Sequence, residues 1–215
     1  MSGMPVILSA AVEGILDDAV VRRLAEDVDV PINAVHICGG KLQLKQKVGA
    51  YNHAADLWPW ILLVDLDREE CAPNLRAAWL PAPNKWMCFR VAVREVEAWL
   101  LGDRQRMAEF LGVAVAKVPQ APDSIDDPKR VIVELARLSR QRDFRMDMVP
   151  RQNSGRSEGP AYASRLIEFT QRLWRPSVAA KHSDSLRRCR EALHRITGAF
   201  HRYLPISVPP GQARR

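Results

Sequence analysis

Apolar runs rich in β-branched residues alternate with amphipathic stretches through the first half of the chain. "PVILSAAVE" (5–13) reads as a buried strand, and "GILDDAVVRRLAEDV" (14–28) as a helix, with Leu16, Val20 and Leu24 at helical spacing. "INAVHIC" (32–38) is a second strand closed by Gly39-Gly40, and "KLQLKQKVGAYNHAADL" (41–57) a second helix. "WILLVDLD" (60–67) and "WMCFRVAV" (86–93) are strands, separated by the short helix "APNLRAAWL" and the loop "PAPNK". "REVEAWLLGDRQRMAEFLG" (94–112) reads as one helical stretch. Strands that alternate with helices imply parallel pairing, and the near-continuous apolar character of these strands implies helices on both faces.

Beyond Gly112 the strand signals fade. "VPQAPDSIDDP" is a polar linker with a helix start at Asp127-Pro128, leading into "KRVIVELARLSRQ". "PRQNSGRSEGP" is a loop open to ordering by a ligand, followed by the amphipathic helices "AYASRLIEFTQRLW" and "SDSLRRCREALHRITGAFHRYL". The expected organisation is therefore an α/β domain over 1–112 with a mostly parallel four-stranded sheet, a helical extension over 113–208, and a disordered tail over 209–215.

The acids at the strand ends carry the chemistry. Residues two apart in a strand share a face, so Asp65 and Asp67 are expected to point together. They sit at the carboxyl end of a parallel strand, the edge where open α/β sheets bind ligands. Glu13 ends the first strand in the same way, and Glu95 and Glu97 follow the fourth. If a helix begins at Arg94, Glu95 and Glu97 lie on different faces and only one reaches the site. Carboxylates gathered in this way repel, and a divalent ion removes the conflict. An all-oxygen ligand set suits Mg²⁺ or Mn²⁺, which orient a phosphodiester and activate water. Taken singly, each acid also has a bland role, at a helix N-terminus or in a solvated turn.

The order of these motifs resembles the Toprim fold of DnaG-type primases, topoisomerases and the OLD (overcoming lysogenisation defect) nucleases. Toprim domains carry a Glu after the first strand, a Gly after the second and an Asp-x-Asp after the third, matched by Glu13 in "AAVEG", Gly39 or Gly40 in "ICGGK", and Asp65 and Asp67 in "LVDLD". The likeness looks closer to an uncharacterised bacterial family of Toprim-like proteins linked to phage defence, in "VREVEAWLLGD" and "RPSVAAKHSDSLRRC". The resemblance implies a Rossmann-like fold, with Glu13 as general acid/base or metal ligand. It further implies Asp65 and Asp67 as Mg²⁺ ligands and Glu95 or Glu97 as an additional ligand. No ATPase domain is present, so an ATP-driven partner would be another chain. Tyr51, Tyr162 and Tyr203 fall in helix-like segments, which disfavours topoisomerase chemistry, and no zinc module supports primase activity.

Composition adjusts this reading. The chain has 215 residues and a net charge of +7, with arginine abundant from Lys129 onward. A basic surface beside an acidic site points to nucleic acid or nucleotide, although arginine also simply solvates helix faces. Gly39, Gly40, Lys41 and Lys45, at a helix start, and Arg94, beside Glu95, form the candidate phosphate-binding set. "GGKLQLK" lacks the P-loop pattern, and the adjacent letters of "HSDS" cannot form a spatial triad. The cysteines are dispersed and read as reduced thiols, and the six tryptophans as packing. The N-terminus lacks a signal peptide and no apolar run spans a bilayer, so a cytoplasmic location is expected. The function expected is a Mg²⁺-dependent nuclease, against a non-catalytic nucleic-acid-binding subunit or a nucleotide-processing phosphotransfer enzyme.

Overall fold

The computed structural model describes residues 6–203; the expected tail, 209–215, lies outside them. Strands β1 (Leu8–Val12), β2 (Ile32–Ile37), β3 (Trp60–Asp65) and β4 (Met87–Ala92) form one sheet in the order β2-β1-β3-β4. Every pairing is parallel. The connections are α1 (Ile15–Asp27), α2 (Lys41–Ala54) and α3 (Ala72–Trp79). Right-handed crossovers put α1 on one face and α2 and α3 on the other. The strand order thus reverses between β1 and β3, and their neighbouring carboxyl ends open a crevice there. All of β1 is buried, and so is β3 up to Val64, as their apolar runs require.

β2 differs from the expectation of a strand covered on both faces. It is the sheet edge, and Ile37 is 46 % exposed. Its alternating "INAVHI" is a weaker apolar run than those of β1 and β3.

The predicted helix over 94–112 is two helices, α4 (Val96–Leu101) and α5 (Arg104–Leu111), hinged at Gly102-Asp103. Asp103 caps α5 through Arg106 N. A Cβ on Gly102 would lie 2.8 Å from Ala179 O, so the junction takes no side chain.

The helical remainder comprises α6 (Pro128–Arg137), α7 (Arg142–Met148), α8 (Tyr162–Arg172), α9 (Pro176–Ala179) and α10 (Asp184–Tyr203). α8 packs on α1, and α10 on β4. Two fully buried tryptophans tie this layer to α4: Trp99 Nε1 donates to Ser185 Oγ at 2.7 Å, and Trp174 Nε1 to Trp99 O at 3.3 Å. The four cysteines are free thiols. No described helix is long and apolar enough to cross a membrane.

Candidate functional site

Glu13 follows β1 directly, and Asp65 is the last residue of β3. Asp65 N donates to Glu13 Oε1 at 2.9 Å, so the two acids meet at the point where the strand order reverses. Asp65 Oδ1 accepts from Val96 N, the first amide of α4, at 3.0 Å. The strand stops at Asp65, so the shared-face argument does not place Asp67. Asp67 instead lies in the following turn with φ +52°, a backbone region that Asp tolerates better than most residues. Its carboxylate arrives through a lysine. Lys41 Nζ donates to Asp67 Oδ2 at 2.8 Å, to Asp65 O at 2.8 Å and to Leu66 O at 3.1 Å. Its three protons are thereby committed.

Both Glu95 and Glu97 border the site, because α4 starts at Val96 rather than Arg94. Glu97 is 4 % exposed and accepts from Tyr162 OH at 3.4 Å, with Lys129 Nζ 3.9 Å away. Glu95 is half-buried and accepts from Lys129 N, in the first turn of α6, at 3.2 Å.

Asp17, in the first turn of α1, joins this group. It is 6 % exposed, and its Oδ2 accepts from Gly14 N at 2.8 Å. Lys129 and Tyr162 were illegible as site residues, since both come from the helical extension.

Burial, and then crowding, raises the proton affinity of Glu13, Asp17, Asp65, Glu95 and Glu97. Burial, followed by the charges of Asp17, Glu97, Glu13 and Asp67, pushes Asp65 well above the usual carboxylate range. Burial pushes Asp17 up to about 7 against its Gly14 bond, with Glu13 adding to the rise. Burial likewise takes Glu97 to about 7 despite the opposing charge of Lys129. Glu13 and Glu95 are also raised, mainly by burial. Burial works against the charge on Lys129, but Glu97 and Glu95 outweigh it and hold its pKa above the ordinary value. Tyr162 is pushed well up by burial and by Glu97.

The candidate phosphate set is only partly assembled. Gly39 N and Gly40 N both donate to Glu13 O at 3.0 Å, so these amides fix Glu13 and are not free for an anion. Their φ values of +80° and +122° are what make that turn possible, and glycine supplies them without strain. Lys45 is exposed and rests over the Trp79 ring at 5.8 Å, outside the acid group. Arg94 Nη1 donates to Asp67 O at 3.0 Å and Glu69 O at 2.9 Å, clamping the turn that carries Asp67.

A cavity of about 810 Å³ opens from the acids, lined by Asp67, Glu95, Arg94, Lys129, Arg130 and Arg137 among others. A second, of about 430 Å³, shares Arg137 and Pro150 with it and adds Arg142, Arg145 and Arg151. The first wall is mixed in charge, since Asp126, Asp127 and Glu134 also line it and Glu134 pairs with Arg137 at 3.3 Å. The second holds arginines and no acid, so an arginine-lined track begins at Arg137 and continues along α7. Among the described residues, no three His, Cys, Asp or Glu side chains stand arranged to hold a metal ion. The carboxylates are engaged by amides and by Lys41 and Lys129.

The fold and site together define an α/β protein with an acid-lined crevice at the strand-order reversal of a doubly wound parallel sheet. No protein-family model matches the chain, and no curated protein matches it. Among solved structures, it is similar to the C-terminal region of the Xanthomonas campestris pv. campestris OLD protein, at 15% identity and a TM-score of 0.41, over 91% of this chain and 96% of that one.

Proposed function

We propose that the chain is a Toprim-like, divalent-metal-dependent phosphodiesterase that cleaves nucleic acid. The observation that carries this reading is the Glu13–Asp65 contact at the crevice, with Asp17, Asp67 and Glu97 close enough to raise the proton affinity of Asp65. The donor chemistry suits a hard cation: the oxygens are all carboxylate, they repel one another, and several bind protons more tightly than usual. Glu13, Asp65 and Asp67 would hold Mg²⁺ or Mn²⁺, with Glu95 or Glu97 completing the set, once the ion replaces the Lys41 ammonium at Asp67. When bound, such an ion polarises a phosphodiester and lowers the pKa of water.

The chain's own residues do the remaining work. Glu13, with a raised pKa and one oxygen fixed by Asp65 N, can alternatively leave the ion to the other acids and exchange a proton at its remaining oxygen. Lys129 and Arg130 face the cleft and can bind the phosphate flanking the scissile bond. Arg94 positions the Asp67 turn.

The test is cleavage of supercoiled plasmid and single-stranded oligonucleotides with Mg²⁺ or Mn²⁺. EDTA should abolish it, and Asp65→Asn should reduce it by ~100-fold or more, exceeding typical losses at supporting residues of a metal site. Absence of cleavage together with absence of Mn²⁺ binding by calorimetry would refute the enzyme reading.

One observation favours a second reading, a non-catalytic nucleic-acid-binding subunit. The Lys41 ammonium already neutralises Asp67, as a structural cation would. That reading requires binding to survive in the Asp65→Asn, Asp67→Asn double variant.

A further inference from the structure

Three buried side-chain atoms have no hydrogen-bond partner among the described residues: Arg76 Nε, Arg90 Nε and Asp123 Oδ1. All three residues line one cavity of about 440 Å³ beside the loop joining β3 to α3. Arg76 comes from α3, Arg90 from β4, and Asp123 from a short 3-10 turn, Pro122–Ser124. Buried polar groups normally find partners, so three orphans from distant elements at one cavity require an explanation.

The arginines make the stronger case. Neither forms an ion pair among the described residues. Burial, and then the charge of Arg90, lowers the pKa of Arg76, so the two cations oppose each other in a partly dry setting. The acids on the cavity wall are committed elsewhere. Asp184 pairs with Arg187 and, at 2.6 Å, with Arg188. Glu70 accepts from Asn74 Nδ2 at 3.3 Å. Asp123 Oδ2 accepts from Ser185 N at 2.9 Å, which leaves only the orphan Oδ1.

An oxyanion supplies the missing counter-charge, and a phosphate matches the guanidinium fork. Asp123 Oδ1, unpartnered and covered, lies in the same wall. When its side chain turns towards the cavity it takes the opposite partner, a hydroxyl or amine donor on the same ligand. Leu66, Val91 and Val93 add an apolar wall. The volume falls in the range of small-molecule sites, about 300–1,000 Å³. We propose that this cavity binds a nucleoside monophosphate, with its phosphate on Arg76 and Arg90 and a ribose hydroxyl or base amine on Asp123. The site is separate from the acid crevice and does not depend on the reading given to it. Arg94 lines both cavities and separates them.

The experiment is calorimetric titration of the full chain with each of the four common nucleoside 5′-monophosphates and with inorganic phosphate. At least one nucleotide should bind saturably and more tightly than phosphate. Arg76→Gln and Arg90→Gln should each weaken it by about tenfold or more, the scale of a lost charge-assisted hydrogen bond. Asp123→Asn should weaken the nucleotide and leave phosphate unchanged, whereas Asp65→Asn should bind as the wild type does. No saturable binding, equal affinity for phosphate and nucleotides, or unchanged binding in both arginine variants overturns the proposal. Should the arginine variants fail to fold by circular dichroism, wild-type crystals soaked with the nucleotide decide it. Phosphate density between Arg76 and Arg90 supports the assignment, and its absence there refutes it.

Discussion

A carboxyl group as enclosed as Asp17, with Glu13 and Asp65 for neighbours, can avoid the cost of burial by keeping its proton or by meeting a cation. Its pKa, pushed up to about 7, means that the folded protein binds a proton more tightly than the unfolded chain does. Glu97 behaves alike at about 7. With raised folded-state values, these groups favour folding fully below the unfolded pKa near 4, and that contribution is lost as pH rises towards 7. In EDTA, therefore, stability should fall between pH 5 and pH 8. Asp17→Asn should flatten that slope and raise stability at pH 8 by something on the order of 2–4 kcal/mol, measured by urea melts at both pH values. A variant less stable than the wild type at pH 8 would show that Asp17 is ionised and well solvated in the fold. Mn²⁺ should recover stability at pH 8 in the wild type, and less so in Asp65→Asn.

The elements position these residues through their ends, and the junction between α4 and α5 is the clearest case. Asp103 is fully buried, caps α5, and accepts from Arg175 through the backbone N at 3.0 Å, Nε at 2.9 Å and Nη2 at 2.7 Å. Asp103→Ala removes the cap and the bonds to Arg175, and should destabilise the protein by about 3 kcal/mol in denaturant melts. A loss below about 1 kcal/mol would mean that the junction tolerates water in place of the carboxylate.

Parallel strands β1, β3 and β4 were legible because burial on both faces writes itself as a nearly continuous apolar run, interrupted only by Ser9 in β1, by Arg90 in β4 and by Asp65 at the end of β3. The break inside 94–112 is marked locally by Gly102, a weak helix former, and Asp103, a good N-cap, but the helical letters on either side read through it. The hinge is fixed by the approach of Ala179 of α9 at Gly102. Glu13 and Asp65 could be brought together from the strand ends they occupy. Asp67 lies in the turn beyond β3, where the alternation of a strand no longer says which way a side chain points. Asp17, Lys129 and Tyr162 could not be read as site residues, since what makes them part of the site is contact across the fold. Lys45 failed for the opposite reason: its helix is right, but its side chain lies over Trp79.

At the scale of the whole molecule, an arginine-lined track continues from a wall of mixed charge. Exposed Asp126, Asp127 and Glu134 stand among Lys129, Arg130 and Arg137 in the first cavity, while Arg137, Arg142, Arg145 and Arg151 line the second with no acid among them. A single nucleotide would engage only the start of such a track, whereas a strand would lie along it and release counterions at each phosphate. Binding of single-stranded DNA or RNA should therefore weaken steeply with salt, with a log–log slope of roughly −0.7 per phosphate contacted. Arg130→Gln and Arg142→Gln should each weaken binding across all sequences and reduce that slope by about one contact. Arg172→Gln, on α8 and outside both cavities, should leave slope and affinity unchanged. Fluorescence anisotropy over a salt series with strands of increasing length makes the comparison. Affinity that stops rising after one nucleotide, or a slope insensitive to Arg130 and Arg142, would confine the substrate to the crevice and make the arginines a solvated exterior.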